Sequence, residues 1–344
     1  MRLLITGGAG FIGSHFIRFW LRRHPSDEVV NVDQLGYAGS LERLTDVESQ
    51  PGYRFVRGDI CDSDAVHTLM QGVDGVVHFA AQTHVDRSIT DASPFLRTNV
   101  EGTGVLLLQA HAQAVRRFIH VSTDEVYGPV LDGAVDERAA LSPRSPYAAS
   151  KAAGDMLAQS FFHTYGLGVI VVRPTNIFGP GQLPEKLIPL CLTHAYEGRP
   201  IPIYGDGLQR RAWLFVDDLC DAIERIMEQG SAGSIYNVAS SQERTNLETV
   251  RRILQLVDRS TDLIQFVMDR PGHDRRYAMD DRALRLLGWQ AETSFEEGLS
   301  RTVKWYWQHA EWWRPIVQAL RENPYHWLNR PFGSGSVQTS GAVV

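Results

Sequence analysis

Residues Arg2–Thr6 read RLLIT, a short β-favouring apolar run, and residues 7–13 follow at once as GGAGFIG. In residues 14–23, Phe16, Ile17, Trp20 and Leu21 then fall on one helical face. Arg22, Arg23 and His24 suit the negative end of a helix dipole, and Pro25 stops the helix. A second apolar run, residues 28–32, closes on Asp33. Strand, glycine turn, helix, strand and acid in this order predict the first unit of a Rossmann-type, doubly wound parallel α/β sheet. Each glycine of the G-x-x-G-x-x-G spacing has a task. Gly7 permits the tight turn, Gly10 lets the backbone approach a pyrophosphate, and Gly13 lets the helix pack closely on the strand. The helix N-terminus offers free N–H groups and positive dipole to phosphate. Asp33, twenty residues past Gly13, is placed to accept hydrogen bonds from both ribose hydroxyls. Its charge would repel a 2′-phosphate, so NAD is expected rather than NADP. The same register argues against reading this apolar start as a signal peptide.

Further strand-like segments at 53–56, 75–79, 118–122 and 168–172 alternate with helical patterns at 64–70, 99–114 and 147–165. Such alternation predicts a parallel sheet with helices on both faces, and ligands outside the carboxyl ends of its strands. Polar residues fall there: Asp59, the AAQTHVDR run at 80–87, and Thr123-Asp124-Glu125. After Pro174 the chain reads as loop-rich, with Pro180, Pro184, Pro189, Pro200 and Pro202. The expected division is a NAD-binding region, 1–175, and a smaller mixed α/β substrate region, 176–331, partly interleaved with it. Residues 234–238 (SIYNV) are the segment expected to return to the main sheet. Trp305, Trp307, Trp312, Trp313 and Trp327 mark a helical stretch read as core or oligomer packing, and 332–344 read as a disordered tail.

Composition narrows the function class. Hydrophobic residues at 43 % and charged residues at 22 % describe a globular chain, not a disordered one. A formal net charge of −6 argues against a nucleic-acid or anionic-membrane partner, which would call for a concentrated basic face. No apolar run approaches the ~18 residues of a membrane span. Cys61, Cys191 and Cys220 are too few and scattered for a disulfide framework or a CxxC metal site, so a reducing cytoplasm is expected. The twelve histidines include no HExxH pairing, no metal is expected, and there is no GxxxxGK[ST] loop.

Tyr147 and Lys151 form Y-x-x-x-K at the start of a predicted helix, and i,i+4 spacing puts both on one face. An ammonium beside a phenol favours the phenolate and lowers the Tyr147 pKa towards a useful range for a base. With the dinucleotide fingerprint upstream and Ser122-Thr123 closing a strand, the pair points to an alcohol oxidised with NAD as hydride acceptor.

GGAGFIG, HFAA at 78–81 and YAASK at 147–151 together resemble the extended short-chain dehydrogenase/reductase family, whose NAD-dependent epimerases and dehydratases act on nucleotide sugars. STDEVYG at 122–128, RPGHDRRY at 270–277, DICD at 59–62 and PEKLIP at 184–189 sharpen the likeness to its dTDP-glucose 4,6-dehydratases. It extends over roughly residues 2–306.

The resemblance implies a reaction. Oxidation at C4 acidifies the C5 proton; a carboxylate removes it while a carboxylic acid protonates the departing C6 hydroxyl. Adjacent carboxyls can hold different protonation states, because like charges resist ionising together. Epimerases of the same family return the hydride to C4 and do without such a pair. Thr123 is implied to hydrogen-bond near O4, Tyr147 to take the O4 proton, and Lys151 to tune Tyr147 and bind the nicotinamide ribose. Asp124 is implied as the C6 acid and Glu125 as the C5 base. Cofactor contacts are implied for Gly7, Gly10, Phe11, Ile12, Gly13, Asp33, Gln34, Asp59, Ile60, Ala80, Ala81 and Asn99. Substrate contacts are implied for His84, for Asn176, Glu185, Lys186 and Leu187 around sugar and diphosphate, and for Pro202, Ile203 and Tyr204 against the base. Arg211, Asn246, His273 and Tyr277 match diphosphate and ribose positions. The two long helices at 99–114 and 147–165 are implied to pair in a four-helix homodimer interface.

Three departures leave the nucleotide open: Phe178-Gly179-Pro180-Gly181 for the usual Tyr-Gly-Pro-Tyr, Ala212 for the usual Asp, and an epimerase-like Arg173-Pro174. A UDP- or GDP-sugar dehydratase and a 4-epimerase stay as alternatives. A non-enzymatic NAD-binding regulator would have no use for Asp124-Glu125 and Tyr147/Lys151.

Overall fold

The computed structural model describes residues 1–321. Its centre is a seven-stranded parallel sheet. The strands are β1 (Arg2–Thr6), β2 (Glu28–Asp33), β3 (Tyr53–Arg57), β4 (Gly75–His78), β5 (Arg117–Val121), β6 (Val169–Pro174) and, after three strands of the second region, β10 (Ile235–Val238). Their spatial order is β10-β6-β5-β4-β1-β2-β3. Strand order reverses at β1, whose Leu3 aligns with Val29 of β2 on one side and Gly75 of β4 on the other. In a doubly wound sheet that reversal opens the ligand crevice.

The strands are apolar on both faces because helices cover both. Leu3 and Ile5 enter the core on one side of the sheet and Leu4 the other, and Ile170/Val172 against Val169/Val171 repeat the alternation. The helix Phe11–Arg23 packs Phe16, Ile17 and Trp20 on the sheet. Helix Pro146–Tyr165 starts where Ser145 Oγ accepts the Ala148 N–H at 3.1 Å and Pro146 presets the first turn. It stops at Gly166, in the left-handed conformation (φ 69°).

The expected strands appear within a residue or two, including the returning segment, whose Ile235 aligns with Val171 of β6. The helix expected over 99–114 is shorter and begins differently. A turn of helix at Ser93–Leu96 runs through a wider π-type turn, Arg97–Gly102, into Thr103–Ala112. The loop-rich reading after Pro174 overlooks a helix at Leu187–Glu197. Pro189 is its third residue, where the missing N–H is one that no helix satisfies internally.

The second region holds β7 (Asn176–Phe178), β8 (Ile201–Tyr204), β9 (Arg210–Phe215), β11 (Glu243–Thr245) and β12 (Ile264–Val267), in sheets β11-β9-β7 and β12-β8. Helices Phe295–Gln308 and Ala310–Arg321 close the described chain. Trp313 is fully buried, donates from Nε1 to the Tyr306 carbonyl at 2.8 Å and meets the Tyr196 ring edge-on, so its packing role is met. Trp327 and the expected tail at 332–344 lie outside the described residues, as does the last part of the region expected over 176–331.

Phe178 of β7 ties the second region's strands to its C-terminal helices, its ring 5.4 Å from Phe295, 5.7 Å from Phe215 and 6.1 Å from Trp213. Phe178→Ala is expected to cost about 3–5 kcal/mol, read as a lower urea midpoint with unchanged denaturant slope.

Candidate active site

Glycine geometry builds the cofactor cleft. Gly7 has φ +71°, and a Cβ there would lie 2.6 Å from Ala80 Cα. A Cβ on Gly13 would lie 2.4 Å from the Gly7 carbonyl oxygen. No side chain caps the helix that starts at Phe11. Its first N–H groups therefore suit an anion. Asp33 accepts the Ala9 N–H at 3.0 Å and the Leu35 N–H at 2.8 Å, and burial raises its pKa. Gly7, Gly10, Phe11, Ile12, Gly13, Asp33, Gln34, Asp59, Ile60, Ala80, Ala81, Tyr147 and Lys151 all line this cleft. The glycine cradle, the uncapped helix and the acid fit an NAD molecule. Asn99 is behind the wall: its amide oxygen accepts the Gln82 N–H at 2.8 Å, and its amide nitrogen donates to Gln82 O and Ser150 Oγ. It shapes the cleft through Gln82 and does not line it.

Beyond β5, Thr123 caps a short turn, Asp124–Tyr127, and accepts the Glu125 N–H at 3.3 Å. Thr123 and Thr175 each donate a hydroxyl to Asp124, at 3.2 Å, one to each carboxyl oxygen. Asp124 is buried; desolvation first, then the charge of Glu125, push its pKa up to about 7. Tyr147 is buried with Thr123 as hydrogen-bond partner. The expectation that Lys151 lowers the Tyr147 pKa is not met. Lys151 Nζ donates to the Val121 carbonyl at 2.7 Å, and burial depresses its own pKa to about 8. Desolvation, with Glu125 and Asp124 nearby, holds the phenol well above its ordinary value.

A second cleft meets the first at Glu125, Asn176, Glu185 and Lys186, which line both. His84, Leu187, Pro202, Ile203, Tyr204, Arg211, Asn246, His273 and Tyr277 line its remainder. Lys186 Nζ donates to Thr83 O at 3.0 Å, and burial lowers its pKa. Arg211 lies over the Tyr277 ring at 4.4 Å and donates to Asp274 O at 3.0 Å. Burial holds His84 and His273 at about 4, so both are neutral at pH 7. Asn176 Oδ1, Glu185 Oε1, Asn246 Oδ1 and Arg270 Nε are buried without a hydrogen-bond partner among the described residues. Orphaned polar atoms gathered in one cleft fit a polar ligand.

Sequence reasoning missed Thr175, Tyr37, Asp86, Arg87 and Arg270. Asp86 accepts from Tyr204 Oη at 3.0 Å and from Arg270 at 3.1 Å, while Arg87 covers the Tyr37 ring at 4.0 Å. Asp86, Arg87 and Arg270 sit inside the AAQTHVDR and RPGHDRRY runs, which were the available signal. Thr175 and Tyr37 had none beyond their place at strand ends.

Residues 4–302 match the family model described as GDP-mannose 4,6 dehydratase. The chain belongs to this family. Its similarity to a dTDP-glucose 4,6-dehydratase of Streptomyces niveus is 48 % identity over 321 residues, covering 92 % of this chain and 96 % of the relative. DesIV, the dTDP-glucose 4,6-dehydratase of Streptomyces venezuelae solved with NAD bound, superposes with a TM-score of 0.90 at 47 % identity, covering 92 % of this chain and all of that one. A trifunctional UDP-glucose 4,6-dehydratase of Arabidopsis thaliana is 42 % identical over 94 % of this chain and 49 % of the relative. The 4,6-dehydratase family thus includes relatives whose sugars carry different nucleotides. Among the described residues no helix is long and apolar enough to cross a membrane.

The raised Asp124 pKa has a thermodynamic signature. Folding lifts this carboxyl from 3.8 to about 7, so over that window the folded chain holds a proton that the unfolded chain releases. Its contribution to stability is full below the lower value and is lost as pH rises through the upper one. Asp124→Asn is expected to flatten that slope, seen by comparing urea midpoints of variant and parent at about pH 4.5, 6 and 7.5.

Proposed function

We propose that the chain converts dTDP-glucose to dTDP-4-dehydro-6-deoxyglucose. The observation that carries this reading is Asp124: a carboxyl that keeps its proton near neutrality, adjacent to Glu125 and one hydroxyl away from Tyr147. The relatives from Streptomyces support the nucleotide.

Thr123 and Tyr147 hold O4, and Tyr147 accepts its proton. Lys151, pinned at Val121, binds the ribose of the cofactor. When bound, NAD supplies a two-electron acceptor for C4 and donor for C6, and its oxidised ring adds the positive charge that the Tyr147 phenol lacks. Glu125 takes the C5 proton, the C5–C6 bond becomes double as the C6–O bond breaks, and Asp124 gives its proton to the leaving hydroxyl, forming water. Glu125 then returns its proton to C5. Arg211, with Asn246, His273 and Tyr277, holds the diphosphate and ribose, a guanidinium fork matching phosphate oxygens. Pro202, Ile203 and Tyr204 pack on the base, and His84, Asn176, Glu185, Lys186 and Leu187 surround the sugar.

On this reading residues 1–175 serve the cofactor and 176–331 grip the nucleotide. The protein works in the cytoplasm, in keeping with its free cysteines. It pairs as a homodimer through the helices Thr103–Ala112 and Pro146–Tyr165. These pack together, and Leu108 on the first and the stripe Ala149, Ala153, Met156 and Ser160 on the second face outward.

Incubation with dTDP-glucose should give a product with alkali-generated absorbance and a mass lower by one water. Product from UDP- or GDP-glucose alone would overturn the nucleotide and keep the reaction. Glu125→Gln should still oxidise C4 yet release no water; full turnover by it removes the role given to Glu125. Sedimentation at micromolar concentration should show a dimer, and Met156→Arg should shift it towards monomer; a wild-type monomer refutes the interface.

A further inference from the structure

Arg43 is a buried cation that the reaction above leaves without a task. Its Nη1 donates to the carbonyls of Ala9 at 3.1 Å and Ala38 at 3.0 Å, and its Nε to that of Gly181 at 3.1 Å. Each acceptor belongs to a different loop of the cofactor cleft. Ala9 is in the glycine turn, and its N–H is held by Asp33. Ala38 lines the cleft after β2, and Gly181 precedes Gln182, which lines it from the second region. Nη2 has no hydrogen-bond partner among the described residues.

The outer face of the guanidinium is covered by the C-terminal helices. The Trp312 ring lies 4.9 Å from Arg43 Cζ, and Trp305 meets Trp312 edge-on at 5.1 Å. Gly181 has φ +74°, and the Trp305 ring and Arg43 Nε stand 3.8 and 3.9 Å from where its Cβ would be. Tyr306 Oη donates to the carbonyl of Gln182, so a second bond ties the same loop to the same helices. Burial lowers the Arg43 pKa only to about 10, leaving it cationic at neutral pH.

We infer that Arg43, clasped under Trp312, is a positioning residue for the dinucleotide, and that the aromatic C-terminal helices thereby set how long NAD stays bound. One guanidinium fixes the spacing of three loops around the cofactor cleft. A lysine cannot replace it, since one ammonium lacks the planar fork that reaches separate carbonyls while stacking on a ring. The inference rests on the NAD-binding part of the proposed function and is independent of the sugar.

The test loads purified protein with NADH and follows loss of its fluorescence on dilution into excess NAD. Trp312→Ala should release cofactor about tenfold faster than wild type, a cation–π contact's worth of barrier. Arg43→Met and Arg43→Lys should release it faster still, and Trp312→Phe, which keeps a ring face, should stay within about threefold of wild type. Activity of Arg43→Met should return as NAD is added in excess, separating weak retention from a damaged site. Far-UV circular dichroism and a cooperative urea transition identify the folded variants. Wild-type release rates in folded Trp312→Ala or folded Arg43→Met overturn the clasp. So does a wild-type chain that holds no NADH. A wild-type chain that holds NADH but turns over no dTDP-glucose overturns the substrate reading alone.

Discussion

The contact between the first helix and the glycine turn is what the remaining architecture depends on. Gly13 stands so close to the Gly7 carbonyl that a methyl group would have to share its space, and Gly7 is as close to Ala80 of the neighbouring strand end. These approaches bring a helix N-terminus to the point where strand order reverses. At the glycine turn the crevice is lined by residues without side chains, Gly7, Gly10 and Gly13, and the helix dipole is aimed into it. Side chains reach this crevice from the ends of β2, β3, β4, β5 and β6. Thr123, Asp124 and Glu125 occupy one of them.

Electrostatics within this crevice depart from the average over the chain. A net charge of −6 would suggest poor affinity for a diphosphate. Yet Lys186, Arg211 and Arg270 converge on the second cleft, and Arg87 covers Tyr37 at the junction. Local placement matters more than the total because screening confines exposed charges to about 8–10 Å, while charges in a low-dielectric cleft act with little loss. The same desolvation raises Asp124 and Tyr147 and depresses Lys151. Burial is thus the largest cause that moves an acid, a phenol and an amine towards their neutral forms.

The main sheet was legible because its signals are local and backbone-driven. Apolar runs of four to six residues, a glycine triad and Asp33 specify strands, turn and register without reference to distant contacts. The second region was less so. Its strands β7, β8, β11 and β12 are three or four residues long, and prolines such as Pro189 look like breakers until their place in the first helical turn is known. Within recognisable runs His84, His273 and Tyr277 were found while their neighbours Asp86, Arg87 and Arg270 were not; Thr175, which touches Asp124 from β6's far end, was missed because no spacing rule links residues fifty-one apart. The error over Lys151 has the same origin. Spacing of i,i+4 put Lys151 and Tyr147 on one face, but the Val121 carbonyl, from another element, decides where the ammonium goes.

The buried acid also explains why the site must be sealed by elements so far apart in sequence. A carboxyl that keeps its proton near neutrality does so only while water is excluded, and Asp124 is enclosed by Thr175 and the Ala212 strand as well as by its own turn. Those partners belong to β6's end and to β9, and β9 is positioned by β7 and by Phe295 behind Phe178. The aromatic layer that joins the C-terminal helices to β7 is therefore connected to the protonation state of Asp124 through two strands. If that layer loosened, water would reach the carboxyl, its pKa would fall towards the ordinary value, and the chain would lose its acid.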